Sequence, residues 1–169
     1  MPTGTIKSLR KVEIGVEATP GTAVAATEQL FMIGEFEPDY PVARGETPIG
    51  VMVRNAGPTA LLKKAVNGVL RSDPNVGAPY EQLAWLLALA LGAPTTTGAG
   101  PYVHTFDPGV GVWTPKTATV RGRNSDGTNH EDLRFEYFTG SKLHFKGDEN
   151  GALQVELEGF ARQMTDEAI

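Results

Sequence analysis

The stretch KLHFKGDENGALQVELEG, residues 142–159, alternates twice, and this alternation constrains the fold more than any other feature of the chain. Leu143 and Phe145 share one side of an extended segment, and Lys142, His144 and Lys146 share the other. After a break, Leu153, Val155 and Leu157 take one side and Gln154, Glu156 and Glu158 the other. Alternation of period two marks half-buried strands, and the intervening GDENG is made of turn-forming residues. A three-residue loop at 148–150 sets Gly147 opposite Gly151. It pairs Phe145 with Leu153, Leu143 with Val155, His144 with Gln154 and Lys142 with Glu156. A slip of one residue would set His144 against Leu153 and exchange the faces, so that register is excluded. The pattern predicts an antiparallel sheet with one apolar face and one charged, open face.

The rest of the chain extends this picture. Alternating segments at 9–17 and 30–36, and extended segments at 49–54, 65–71, 102–106, 118–123 and 133–138, predict further strands. Residues 18–26 are an extended piece punctuated by Gly and Pro, 37–47 a long irregular loop, 93–100 a flexible connector and 124–132 a polar turn. Loops as long as 37–47 are usually functional or covered by a partner. One helix is predicted over about 79–91, with Pro79 in its first turn, Glu81 at its positive end, Gly92 at its stop and Pro94 beyond. Its apolar run, LAWLLALALG, is too short to span a bilayer, which takes about 20 residues. Trp85, Leu86, Leu87, Leu89 and Leu91 surround this helix instead of forming a stripe, so it needs cover on more than one side. Its own core, or its sheet together with a neighbouring subunit, would supply that cover. The expectation is a single domain, 1–169, mainly β with one α-helix, built as a β-sandwich or half-barrel.

Composition narrows the function classes. With 169 residues, 40% hydrophobic and 21% charged, the chain supports one globular core. The net charge of −5 argues against a surface dedicated to neutralising DNA. The absence of cysteine removes disulfides, thiolate metal sites and cysteine nucleophiles. The first residues, MPTGTIKSLRK, lack the apolar stretch of a secretory signal.

Motifs of catalysis or cofactor binding fail on inspection, and no catalytic, cofactor or metal residue is expected. Gly98 with Gly100, and Gly109 with Gly111, begin phosphate-loop spacings that Val103 and Thr114 break. Asp73 and Asn75 begin a calcium-loop spacing that fails at Ala78 and Ala84. The histidines His104, His130 and His144 do not have the i, i+4 spacing of a zinc helix. Ser8, Ser72, Ser125 and Ser141 have no base nearby in sequence and no nucleophile elbow. His130 beside Glu131 and Asp132 reads as a polar turn.

Three segments, in order, carry a resemblance. KVEIGVEATPGTAVAATEQLFMIGEFEPD resembles the opening of the tail tube (major tail) proteins of long-tailed phages, a strand running into an E-T/A-x-x-G-T-A-V-A segment and a second strand. EQLAWLLALALGAPTTTGAGPYVHTFDP is similar to that family's middle, an apolar helix ending in Leu-Gly, a Thr/Gly connector and a Y-x-H-T-F strand. LRFEYFTGSKLHFKGDENGALQVELEGF resembles the stretch in which an aromatic Y-x-G-x-K leads into strands about a glycine turn. The resemblance spans most of 11–160. Many members continue into further strands where this sequence ends in ARQMTDEAI.

The resemblance implies a virion protein, assembled in the host cytoplasm, whose copies form rings, six-fold in such tubes, stacked into a hollow and non-contractile tail. Its implied partners are itself, the tape-measure protein, other tail proteins and phage DNA passing through without sequence-specific binding. Subunit contacts are then expected along 18–26 and 37–47 and on the helix, at Thr19, Pro20, Gly21, Thr22, Tyr40, Pro41, Arg44, Trp85 and Leu89. Lys142, His144, Gln154, Glu156 and Glu158 are expected on a lumen-facing or exposed sheet face. The alternatives are a head–tail connector or tail terminator forming one ring, a monomeric carbohydrate-binding sandwich using Trp113 and Tyr102, and an enzyme.

Overall fold

A computed structural model describes residues 7–9, 11–44, 59–61, 65–107, 116–125, 130–147, 149 and 151–166. The strands in chain order are β1 (Lys7–Leu9), β2 (Lys11–Val16), β3 (Glu28–Leu30), β4 (Met32–Asp39), β5 (Val42–Arg44), β6 (Thr59–Leu61) and β7 (Ala65–Ser72). A 3-10 turn (Tyr80–Gln82) runs directly into helix α1 (Leu83–Leu91). After it come β8 (Thr95–Thr97), β9 (Val103–Thr105), β10 (Ala118–Ser125), β11 (His130–Lys146), β12 (Gln154–Ala161) and β13 (Gln163–Asp166).

The main strands form two antiparallel layers. Sheet A has the order β1-β4-β7-β12-β11 and uses the second half of β11. Sheet B has the order β3-β2-β10-β11-β13 and uses the first half. A single residue separates β1 from β2, β3 from β4 and β12 from β13, yet each pair divides between the sheets. The chain therefore turns four corners, the fourth inside β11. There Ala118 faces Phe138 while Val120 faces Phe135, which leaves one residue too many on β11. Such a bulge bends a strand and increases its twist. Tyr137 takes the extra position at φ 58°, a conformation uncommon for a bulky residue.

Between the layers Phe36 of sheet A stacks on Phe135 of sheet B, ring centres 3.9 Å apart, and meets Phe138 edge-on at 5.7 Å. Val12, Ile14, Val120 and Leu133 from one side and Val66, Leu70, Val155 and Leu157 from the other are at most 1% exposed. Burial of each such side chain stabilises by about 1.5–3 kcal/mol. Helix α1 lies against β11 and contributes Leu86 and Leu89 to this core. Gly92 N–H donates to the Ala88 carbonyl at 3.0 Å and ends the helix. The architecture is mainly β with one short helix, a sandwich whose two sheets share the long strand β11.

Several expectations change. The 142–159 hairpin is shifted by two residues: Phe145 faces Val155, Leu143 faces Leu157, His144 faces Glu156 and Lys142 faces Glu158. The cause lies outside the hairpin. The Leu153 carbonyl accepts Ala78 N–H at 2.6 Å, and Val155 N–H donates to Ser72 Oγ at 3.0 Å, so 151–153 is tied to the end of β7. An even shift keeps each residue on its face, so alternation cannot detect it.

Residues 37–44 are not an irregular loop. Glu37, Pro38 and Asp39 continue β4 opposite Asn67, Val66 and Ala65, and Val42–Arg44 pairs with β6. The connector 93–100 contains β8, which pairs with β9; its threonines are β-branched and favour extended backbone. The polar turn shrinks, because β10 runs to Ser125 and β11 starts at His130, and the separate strands 133–138 and 142–146 are one. The expected strand at 49–54, the loop end 45–47 and Trp113 lie outside the described residues.

Candidate functional site

The open face of sheet A collects the residues expected on it. Lys142, His144 and Lys146 stand on β11, with Gln154, Glu156 and Glu158 beside them on β12. The register adds residues that sequence alone did not associate with this face: Arg71 lies opposite both Glu156 and Ile33, and Val69 opposite Glu158 and Glu35. Lys142 Nζ donates to Glu158 Oε2 at 2.8 Å, His144 Nε2 lies 3.4 Å from Glu158 Oε1, and Arg71 pairs with Glu35. The hydrogen bond from Lys142, reinforced by the charges of Lys142 and His144, holds the Glu158 carboxyl below the usual carboxylate range; the same bond raises Lys142. Exposed pairs of this kind orient side chains more than they stabilise a fold. Counted together, Glu35, Glu37, Asp39, Glu156 and Glu158 outnumber Arg71, Lys142 and Lys146, so the described part of the face is acidic.

A second polar cluster sits at the corner of sheet B, and sequence reasoning missed it. Glu17 is 1% exposed. Its Oε2 accepts Gly21 N–H at 2.7 Å and the Thr117 hydroxyl at 2.7 Å; its Oε1 accepts the Thr119 hydroxyl at 3.0 Å and Tyr137 N–H at 3.0 Å. One carboxylate thus joins the turn after β2, the start of β10 and the bulge of β11. A carboxylate offers about four lone-pair positions, and four donors from distant parts of the chain meet it here.

Close by, Glu136 is held by Gln163 Nε2 at 2.6 Å, Arg134 Nη2 at 3.1 Å and Arg162 Nη2 at 3.3 Å, and Arg162 also donates to the Gly21 carbonyl at 3.1 Å. Burial alone would push the Glu136 carboxyl up; the Gln163 hydrogen bond and the two arginines outweigh it and leave it lowered.

The expected contact residues scatter. Thr19, Pro20 and Thr22 are exposed on the turn that Glu17 and Arg162 clamp down. The 18–26 segment lies along sheet B, with Val24 N–H donating to Thr119 Oγ1 at 3.0 Å. A Cβ on Gly15 would come within 2.3 Å of the Ala25 carbonyl oxygen, so the close approach requires glycine there. Tyr40 is half-buried, its hydroxyl accepting Met164 N–H at 3.3 Å, and Pro41 is exposed. Arg44 falls in β5, and its side chain lies outside the described residues.

On the helix, Trp85 is 36% exposed but Leu89 only 1%. Leu89 therefore packs into the protomer's own core, at the floor of the groove along α1. The uncovered side of α1 lines a groove of about 470 Å³ with Val16, Trp85, Ala88 and Pro94 on its walls and His104 and Lys116 at its rim. The hairpin β8–β9 beside it is exposed at every residue, and Tyr102 is 65% exposed. The Asp73–Gly77 segment is a turn closed on the Asp73 carbonyl and side chain, with Asn75 N–H donating to Asp73 Oδ1 at 2.8 Å.

Among the described residues, no three His, Asp or Glu side chains gather as a metal would need, and no helix is long and apolar enough to cross a membrane. No protein-family model matches the chain, and no curated protein matches it.

Proposed function

We propose that this chain is a structural subunit that assembles with copies of itself into rings, and that the rings stack into the hollow tail tube of a long-tailed phage. The observation that carries the reading is the second half of β11. Residues 141–146 pair with β12 on one side only among the described residues, and Phe145 is 49% exposed at their tip. An edge strand left open is a template for joining another chain. A repeated contact of one surface with a different surface closes a ring or extends a filament. The ordered resemblance across 11–160 supports the same reading, as does an exposed groove along α1. An acidic open face suits a conduit that DNA must traverse without sticking. In such a tube the tape-measure protein and then DNA would occupy the lumen.

Negative-stain electron microscopy of the purified chain across a concentration series tests this directly. Stacked hollow rings are expected. Single rings that never stack would favour a head–tail connector or terminator. Monomers at every concentration would overturn self-assembly.

A further inference from the structure

The open face of sheet B carries the opposite charge to that of sheet A. Lys11 and Glu13 stand on β2, Arg121 and Arg123 on β10, and Asp132, Arg134 and Glu136 on β11. Arg162 reaches Glu136 from the side, so among the described residues cations outnumber carboxylates here. The two kinds of group lie at different depths. The side chains of Glu13, Asp132 and Glu136 are 19%, 6% and 8% exposed; those of Lys11, Arg121, Arg123, Arg134 and Arg162 are 47%, 28%, 35%, 35% and 51% exposed. Glu17, at the corner of the face, is deeper still. The carboxylates form a floor with the cations above it, so an approaching partner meets positive charge first. Arg121 and Arg134 lie directly opposite one another across the β10–β11 ladder, a placement that is destabilising for like charges. A cleft of about 160 Å³ opens between Lys11, Arg121 and Arg123, over Glu13 and Asp132.

We propose that this cleft is a docking site for an acidic polypeptide segment, whose carboxylates enter among Lys11 and the three guanidinium groups. A guanidinium carries five N–H donors. The pair that Arg123 makes with Asp132, at 2.7 and 3.2 Å, engages two of its three nitrogens, so capacity remains for a second anion. The planar fork of arginine matches a carboxylate, and a carboxylate seated between Arg121 and Arg134 offsets their repulsion. Duplex DNA is the poorer fit. It presents a charge every ~1.7 Å of helix axis, and tight binding neutralises many phosphates at once. A small cationic excess on a chain of net charge −5 does not supply that. A peptide carries its carboxylates sparsely and can step around Glu13. The contact uses sheet B alone and does not depend on whether the chain forms rings.

The test is fluorescence anisotropy of a labelled peptide of alternating glutamate and serine, with glutamine replacing glutamate in the control. The glutamate peptide should bind, the control should not, and binding should weaken about tenfold between about 0.05 M and 0.3 M NaCl. Lys11→Gln and Arg121→Gln should each weaken it about fivefold, the effect of one exposed ion pair. Either substitution leaves Glu13 a cation beside it, so folding, checked by circular dichroism, should be unchanged. Lys146→Gln, on sheet A, should leave binding as in the wild type. No binding of the glutamate peptide at low salt, or an equal loss from Lys146→Gln, would overturn the site. Labelled duplex DNA bound more tightly than the peptide, and weakened by the same two substitutions, would overturn the acidic segment in favour of phosphate.

Discussion

Glu17 shows how one side chain can hold distant parts of a chain together. Its four donors come from residues 4, 100, 102 and 120 positions away. Hydrogen bonds to a charged acceptor contribute about 1.5–3 kcal/mol each, and a buried donor left unpaired costs about 1–3 kcal/mol. Glu17→Ala is therefore expected to destabilise the fold by about 3 kcal/mol or more, read from urea denaturation. Glu17→Gln should also destabilise, because its amide nitrogen would face donors. In the sequence Glu17 looks like one more polar residue at the end of an alternating strand. No local pattern reports partners a hundred residues away. Glu136 gives a pH signature at the same scale. Its carboxyl is lowered from the ordinary 4.5, so its contribution is complete above that value and is lost as pH falls through the folded-state value. Stability should fall on acidification below about pH 4.5, and Glu136→Gln should lower stability at pH 7 and flatten the acid slope.

Elements with strong periodicity were legible; those defined by distant partners were not. The two alternations at 142–159 and the helix within 79–91 follow from residue spacing alone, because period and stop signals are local. The shift of the hairpin by two was hidden because it changes no face, and its partners lie far off in sequence, Ser72 at the end of β7 and Ala78 in the loop before the helix. The continuity of β11 past Phe138 was hidden by Thr139, Gly140 and Ser141, which read as a break between strands. Alternation places Lys142, His144, Gln154, Glu156 and Glu158 on one side of β11 and β12, but cannot add Arg71 and Glu35, which only sheet order brings there. For the helix, an apolar residue all round does not say which side is open. Leu89→Ala is expected to cost about 2–5 kcal/mol of stability by leaving a cavity, measured on the monomer in denaturant. Trp85→Ala should cost markedly less, since much of that ring already meets water.

At the scale of the molecule, two sheets joined at four corners make one body, and its assembly should report which forces act between copies. A contact carried by charged side chains weakens as salt rises, whereas apolar association is strengthened by excluded salts. Ring formation is expected to decline between 0.1 M and 1 M NaCl and to be followed by sedimentation velocity; constant or increasing assembly would point to the groove along α1 instead. The bent strand β11 has a further, mechanical consequence. Its 17 residues measure about 56 Å along the backbone, more than the roughly 40 Å breadth of a compact chain of this length. With its bend at Tyr137 held by Glu17 and one arm in each sheet, it sets the angle between the two layers, so loosening that bend would tilt one sheet against the other.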